Sequence, residues 1–344
     1  MSVVRIAIVG CGSIASMHAV AIGQTPDAAL VACYDRVKES ALRFSEENKI
    51  QAFDTYEELL ASDMVDAVSI CTPSGLHTPQ AIQAIQAGKH VLVEKPMSLT
   101  LEEADRLIEA VDRSHVKVGV ISQIRFSPAV VEVRRAIEAG ALGKITSGSL
   151  QMKYWRSKDY YASGAWRGTW ALDGGGALMN QGIHGVDIFR YLMGIPKTLT
   201  GYARTQIHDI EVEDSAVAII EFEGGAIGTI EASTACYPGY PRRVEICGDK
   251  GSIVLKEDVI IKWDVDLPCQ LPVGEQPENV GSSDPLAIST AGHVRHFINF
   301  INAILRDEPL LADTRIGRLP LEIILSVYES SRTGRSVNME EIRK

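Results

Sequence analysis

No apolar run in this 344-residue chain approaches the roughly 18 residues that a membrane-spanning helix needs, which argues against a helical membrane protein. The first apolar run, Val3 to Val9, carries Arg5 and ends in a glycine turn in place of a cleavage site, so it does not read as a secretory signal. Cysteine is sparse, and the six present (Cys11, Cys33, Cys71, Cys236, Cys247, Cys269) show no CxxC or other ligand spacing. A chain of this length needs no disulfide staples, so reduced thiols, a cytoplasmic setting and no bound metal are expected. Positive charge is in deficit: 34 Lys and Arg against 44 Asp and Glu give a formal charge of −10, a poor match for a phosphate backbone, and nucleic acid is not an expected partner. Internal repeats and low-complexity tracts are lacking. What remains, 46% hydrophobic and 23% charged residues, is the composition of an ordinary globular protein, and the length suggests about two domains.

Over the first 120 residues, short β-branched runs alternate with helical patterns: Val3 to Val9, Ile14 to Gln24, Leu30 to Tyr34, Val37 to Asn48, Val65 to Cys71, Pro79 to Ala87, His90 to Val93, Leu101 to Ser114 and Lys117 to Ile121. Such alternation predicts a doubly wound parallel sheet with crossover helices, an α/β domain over residues 1–122. Thr100 with Glu103 forms a capping box, and Gly88 closes the helix that begins near Pro79. Beyond residue 145 the runs lengthen (Ile145 to Trp155, Thr198 to Gln206, Ser215 to Phe222, Ala226 to Ala232, Arg243 to Cys247, Ser252 to Lys256, Val259 to Trp263), with glycine turns at 223–225 and 248–251. These predict a large open antiparallel sheet within an α+β domain over 123–344. Pro268 to Pro285, with four prolines, reads as a surface loop, and Gly292 to Arg306 and Leu319 to Arg332 as two closing helices. So few helices leave one sheet face uncovered, and an uncovered apolar face suggests self-association.

Directly after the first strand comes Gly10-Cys11-Gly12-Ser13-Ile14-Ala15, a GxGxxA form of the dinucleotide fingerprint. Gly10 permits the tight turn, Gly12 lets the backbone approach a pyrophosphate at the helix start formed by Ser13 and Ile14, and Ala15 allows close helix packing. The second strand ends at Tyr34-Asp35, 23 residues after Gly12, where Asp35 is either an acceptor for the adenosine ribose or a surface turn residue. A carboxylate there favours NAD over NADP, although Arg36 could stack on adenine or pair with a 2′-phosphate. Thr72 and Pro73 end the next buried strand at the sheet's C-terminal edge, where ligands of such sheets collect, and His77 opens the following helix as either a cofactor contact or a helix-start polar residue. Val91-Leu92-Val93 then runs into Glu94-Lys95-Pro96, which sets a lysine able to polarise a hydroxyl at a strand's end.

In GCGSIA, in CTPSGLHTPQAIQAIQAGKHVLVEKPMSLT and in DGGGALMNQGIHGVD, the chain resembles the glucose-fructose oxidoreductase, inositol dehydrogenase and MocA family (Gfo/Idh/MocA), over nearly its whole length. The resemblance implies a Rossmann domain binding NAD(P), a second domain with an open antiparallel sheet, hydride transfer between a secondary hydroxyl of a sugar or cyclic polyol and the nicotinamide, and a catalytic role for Lys95. It also implies a homodimer or homotetramer. A nucleotide-sensing regulator on the same fold, a ketosugar reductase and a dihydrodiol dehydrogenase are the alternatives.

The segment from Asp173 to Asp187 reads as a loop entering a helix, with Asn180, His184 and Asp187 at i, i+4 and i+7 on one face. Gly182 and Gly185 each cost a helix about 1 kcal/mol relative to alanine, which suggests close approach of a ligand or another backbone. His184 is assigned as the acid/base, Lys95 as hydrogen-bond donor and electrostatic partner, and Asp187 as a supporting catalytic residue. The family's usual aspartate is here Asn180, a substitution similar to that in UDP-N-acetylglucosaminuronate 3-dehydrogenases, and Asn180 is read as a substrate contact. Three of the four tryptophans fall within 155–170, among Lys153, Tyr154, Arg156, Lys158, Tyr160, Trp166 and Arg167. Aromatic faces suit the C–H surfaces of sugars and arginine forks suit carboxylates, so Tyr154, Arg156, Trp166 and Arg167 join the expected substrate site. A sheet edge packed on a partner subunit is the other reading. Gln123 and Arg125 are added by the resemblance. The expected substrate is a pyranose-like ring bearing an anionic group.

Overall fold

The computed structural model describes residues 3–274 and 290–343, so part of the expected 268–285 loop lies outside the described residues. The chain divides into two compact units, Met1–Gln123 with Ser289–Arg318, and Ile124–Ile288 with Leu319–Lys344.

In the first unit, β1 (Val4–Val9), α1 (Ser13–Gly23), β2 (Ala28–Tyr34), α2 (Lys38–Asn48), β3 (Gln51–Ala52), α3 (Tyr56–Ala61), β4 (Ala67–Ile70), α4 (His77–Gln86), β5 (His90–Val93), α5 (Leu101–Asp112) and β6 (Val118–Val120) follow one another. Their six strands form one parallel sheet in the order β3-β2-β1-β4-β5-β6, the doubly wound arrangement predicted from the alternation. Central strands β1 and β4 are almost wholly apolar and buried on both faces, as crossover helices require. Half of the expected capping box at Thr100 is present, its side chain accepting the Glu103 N–H at 3.2 Å, while the Glu103 carboxylate accepts the Leu99 N–H at 3.1 Å and not that of Thr100.

In the second unit, α6 (Pro128–Glu138) leads to β7 (Ile145–Lys153), α7 (Lys158–Ala162), α8 (Ile183–Met193), β8 (Pro196–Arg204), β9 (Ser215–Phe222), β10 (Ile227–Ser233), β11 (Arg243–Gly248), β12 (Ser252–Lys256) and β13 (Val259–Asp264). The eight-stranded sheet runs β13-β12-β11-β7-β10-β9-β8-β14, its last edge strand being β14 (Val337–Asn338), which is followed by the short α11 (Met339–Ile342). It is antiparallel except at its centre, where β7 and β10 pair parallel. Alternation along β9 buries Ala216, Ala218, Ile220 and Phe222 on one face and leaves Val217 and Ile219 exposed on the other.

One expectation needs correction. The second domain does not run unbroken from 123 to 344, because α9 (Ala291–Arg306) and the start of α10 (Thr314–Thr333) belong with the first unit. Phe297, Phe300 and Ile301 of α9 join the same buried cluster as Ala15 and Ile22 of α1. Arg306 pairs with Asp27, Lys117 with Asp307, Arg315 with Asp112 and Arg318 with Asp105. Which sheet a late amphipathic helix covers is decided by these long-range contacts, which leave no local signature.

Candidate active site

The nucleotide half begins where β1 ends. Gly10 has φ +92°, and a Cβ there would lie 2.8 Å from the Thr72 nitrogen, so only glycine lets this turn pass so close to the end of β4. Gly12 is the N-cap of α1, a helix start with no side-chain cap and no acidic residue in its first turn. Gly12 and Ser13 are exposed and Ile14 half-buried, so the first N–H groups and the positive end of the helix dipole face outward, as an anion requires. Asp35 accepts the Cys11 N–H on one oxygen and the Val37 N–H on the other, both at 2.7 Å. The carboxylate thus ties the glycine loop to the end of β2, and each oxygen keeps a lone pair for a ribose hydroxyl. Arg36 beside it is exposed. These residues fit a dinucleotide.

At the ends of β4 and β5 the expected contacts separate into two kinds. Thr72 and Pro73 lie on the turn beside Gly10, with the Thr72 hydroxyl donating to Gln80 at 2.6 Å. His77, expected as a cofactor contact or a helix-start residue, is buried with both ring nitrogens 2.7 Å from backbone carbonyls, those of Pro96 and Thr72. Burial lowers its pKa and the two carbonyls pull it back up, so His77 clamps the two loops together and is not a cofactor contact. Glu94 is likewise buried: one oxygen lies 2.9 Å from His18 Nε2 and the other accepts the Lys95 N–H at 3.0 Å. Burial opposes its ionisation, but His18 and then Lys95 hold its pKa well below the carboxylate range. On the His18 side, burial is outweighed by the Cys71 sulfur and Glu94, which raise its pKa to about 10. His293 packs against this pair, its pKa lowered to about 4 chiefly by burial. Glu94 is therefore the buried support of the loop that carries Lys95, which is itself half-buried. His18 and Ser69, 2.7 Å apart, extend that support to α1 and β4; the only sequence signal for it was a histidine in the fingerprint helix.

The second unit carries His184 on α8, entered through one π-helical turn, Ala177–Gly182. Glu213, not foreseen from sequence, holds this entry: its buried carboxylate accepts the Gly176 N–H at 2.9 Å, the Leu178 N–H at 2.8 Å and the Tyr328 hydroxyl at 2.9 Å. Burial raises its pKa to about 7 against the pull of those donors. Asn180 lies within the π-turn, and His184 and Asp187 lie on α8 beyond it. Asn180 and His184 are half-buried, whereas Asp187 is buried and grips Arg125 through two bonds of 2.6 Å. Two assignments change with this pair. Asp187 is engaged by Arg125 and acts on α8 from behind, and Arg125, stacked 4.6 Å over Tyr191, anchors that helix and is not turned to a substrate. The two glycines here have different surroundings. A Cβ on Gly182 would meet the Ala177 carbonyl oxygen of the same π-turn at 2.7 Å, and one on Gly185 of α8 would meet the Met152 sulfur of β7. Gln123 is buried at the end of the first unit, where its backbone lies against Gly292 of α9.

The aromatic and basic segment divides similarly. Tyr154 is buried, its phenol pKa pushed up by that burial, and Lys153 pairs with Glu231 at 2.7 Å, so both serve the sheet. Arg156 is buried and donates to Gln181 at 3.0 Å and to the Trp155 carbonyl at 2.8 Å. Arg167 remains half-buried, its guanidinium 4.4 Å from the centre of the Tyr160 ring and 4.5 Å from that of Trp166. Asp173, also unforeseen, is buried beneath Asn180, from whose amide it accepts at 2.5 Å.

A dinucleotide loop after β1 and a lysine at the end of β5 in one unit, and a histidine-bearing helix laid on a large sheet in the other, define a two-domain nucleotide-dependent oxidoreductase. The chain belongs to the GFO/IDH/MocA family: residues 4–122 match the oxidoreductase family model with NAD-binding Rossmann fold, and residues 130–254 match the GFO/IDH/MocA C-terminal domain. It is 34% identical over 269 residues to the scyllo-inositol 2-dehydrogenase (NAD(+)) of Bacillus subtilis (strain 168), covering 73% of each chain. Over 98% of both chains it superposes on the WlbA dehydrogenase from Bordetella pertussis, whose structure is a complex with NADH and UDP-GlcNAcA, with a TM-score of 0.87 and 31% identity. The WlbA dehydrogenase from Chromobacterium violaceum, also in complex with NADH and UDP-GlcNAcA, gives a TM-score of 0.88 at 29% identity, covering 98% of this chain and 96% of that one.

Proposed function

We propose that this NAD-dependent oxidoreductase oxidises a secondary hydroxyl of a nucleotide-linked sugar acid, with Lys95 and His184 as its catalytic residues. The observation that carries the class of reaction is the pairing of the uncapped α1 start, the Gly10 turn and Asp35 with Lys95 at the end of β5. Bound NAD supplies the hydride acceptor. Lys95 donates a hydrogen bond to the substrate hydroxyl oxygen and favours its developing negative charge, while His184 takes the hydroxyl proton. Asp35 repels a 2′-phosphate, which supports NAD over NADP.

For the substrate, two considerations support an anionic pyranose: the half-buried Arg167 between two aromatic rings, and the sugar acid named in the two WlbA complexes. Comparing kcat/KM for a UDP-linked uronate and its neutral sugar counterpart tests this, in the native protein and in Arg167→Ala. A preference for the uronate that shrinks at least tenfold in the variant is expected. Equal activity on both sugars, unchanged by the substitution, contradicts the anionic reading and leaves a neutral sugar or polyol.

Self-association through the open face of the eight-stranded sheet belongs to the same reading. Tyr202, Val217, Ile219 and Ile227 are 62, 52, 57 and 58% exposed, and strand register sets all four on one face. No described helix is long and apolar enough to cross a membrane, and the six cysteines are unpaired, which supports a cytoplasmic setting.

A further inference from the structure

Around Asn180 the hydrogen bonds form a chain whose direction is fixed at both ends. At one end stands an arginine, which can only donate: Arg156 Nε gives its proton to Gln181 Oε1 at 3.0 Å. That contact turns the Gln181 amide nitrogen the other way, where it donates to the Tyr160 hydroxyl oxygen at 2.7 Å and to Asn180 Oδ1 at 3.2 Å. At the other end stands a buried carboxylate. Asp173 accepts the Gly168 N–H at 2.8 Å on one oxygen and the Asn180 amide at 2.5 Å on the other, so the Asn180 nitrogen has to face it. Both amide orientations follow from charge and need no choice between oxygen and nitrogen.

The chain has a consequence at Tyr160, a residue half-buried on α7. Its hydroxyl oxygen receives a second donor, Arg167 Nη1 at 2.7 Å. Two donors occupy both lone pairs of that oxygen, so the hydroxyl hydrogen points away from both, and no described side chain accepts it. Burial raises the phenol pKa against the lowering effect of Arg167, which keeps the hydrogen in place at neutral pH. The Arg167 guanidinium lies over the Tyr160 ring and holds the phenol from a second side. Gln181, which feeds Tyr160, neighbours Asn180 and precedes His184 by three residues.

We infer that Tyr160 is a specificity-determining residue whose hydroxyl donates to the carboxylate of the sugar-acid substrate, with Arg167 and Gln181 as the groups that aim it. The inference rests on the sugar-acid reading given above and adds to it the donor that tells an acid from its neutral relatives. An ionised oxygen is the acceptor such a donor suits best, because a hydrogen bond to a charged group contributes more than one to a neutral oxygen. Asp173 has a positioning role in the same chain, since it fixes which end of Asn180 faces away.

The test is the ratio of kcat/KM for a UDP-linked uronate to that for its methyl ester, with NAD, in the native protein and in Tyr160→Phe. The variant keeps the ring that Arg167 covers and removes only the hydroxyl. The ratio cancels any general loss from poorer folding, since both substrates meet the same enzyme molecules. A fall of tenfold or more in the ratio is expected, carried mainly in KM, with NAD affinity unchanged. A ratio within twofold of the native value overturns the role of Tyr160 while leaving the sugar-acid reading intact. A native protein that turns over neither compound with NAD overturns both together.

Discussion

At the scale of single residues, burial decides which of the polar groups legible in the sequence are left to meet a ligand. Asp187 is a candidate by its spacing from Asn180 and His184 and Arg125 by the family resemblance, yet the two close on each other with side chains 4 and 7% exposed. Sequence shows the chemistry of a side chain and not the partner it finds 62 positions away. The same holds for Glu94 and His77, which the structure places beneath Lys95 and beside Thr72 as supports. Asp187→Ala is therefore expected to act on stability first. It leaves a buried guanidinium without its carboxylate, a loss of about 3–5 kcal/mol in unfolding free energy. Denaturant titration of the native protein and the variant reads this directly. A variant of native stability that has lost turnover would instead place Asp187 at the reacting atoms.

At the scale of elements, the first unit was legible almost strand by strand, because a parallel sheet covered on both sides needs apolar runs of β-branched residues separated by helices. The glycine fingerprint, the β2 aspartate and the lysine after β5 could be placed for the same reason: each sits at the end of a predicted strand. The π-helical turn before α8 could not be read. Its geometry depends on Glu213, which lies 35 residues from Leu178 in sequence, and on Tyr328 from α10. The helix Pro128–Glu138 and the parallel pairing of β7 with β10 were likewise unread, the second because strand direction within a mixed sheet is a property of topology and not of pattern. Glu213→Ala removes the acceptor for two buried N–H groups, each costing roughly 1–3 kcal/mol when unpaired. The expected outcome is a lower unfolding midpoint together with reduced kcat and unchanged NAD affinity, since the loop it holds belongs to the second unit. Native kcat in the folded variant would show that the π-turn keeps its form without Glu213.

At the scale of the whole molecule, the exposed apolar residues on β8, β9 and β10 are the ground for the proposed self-association. Sedimentation at micromolar concentration is expected to give a dimer or tetramer, and Ile219→Lys with Val217→Lys on that face should shift the protein toward a monomer. A native monomer of 37.4 kDa at that concentration would count against an interface there. The central claim is the proposal that Lys95 and His184 carry the chemistry of an NAD-dependent oxidation. The most direct measurement is the rate of NADH formation by Lys95→Ala and His184→Ala on the native protein's own best sugar substrate, with NAD affinity determined on the same samples. Each substitution is expected to lower turnover by roughly 10²-fold or more while leaving NAD binding nearly unchanged. Native turnover in either folded variant would contradict that claim.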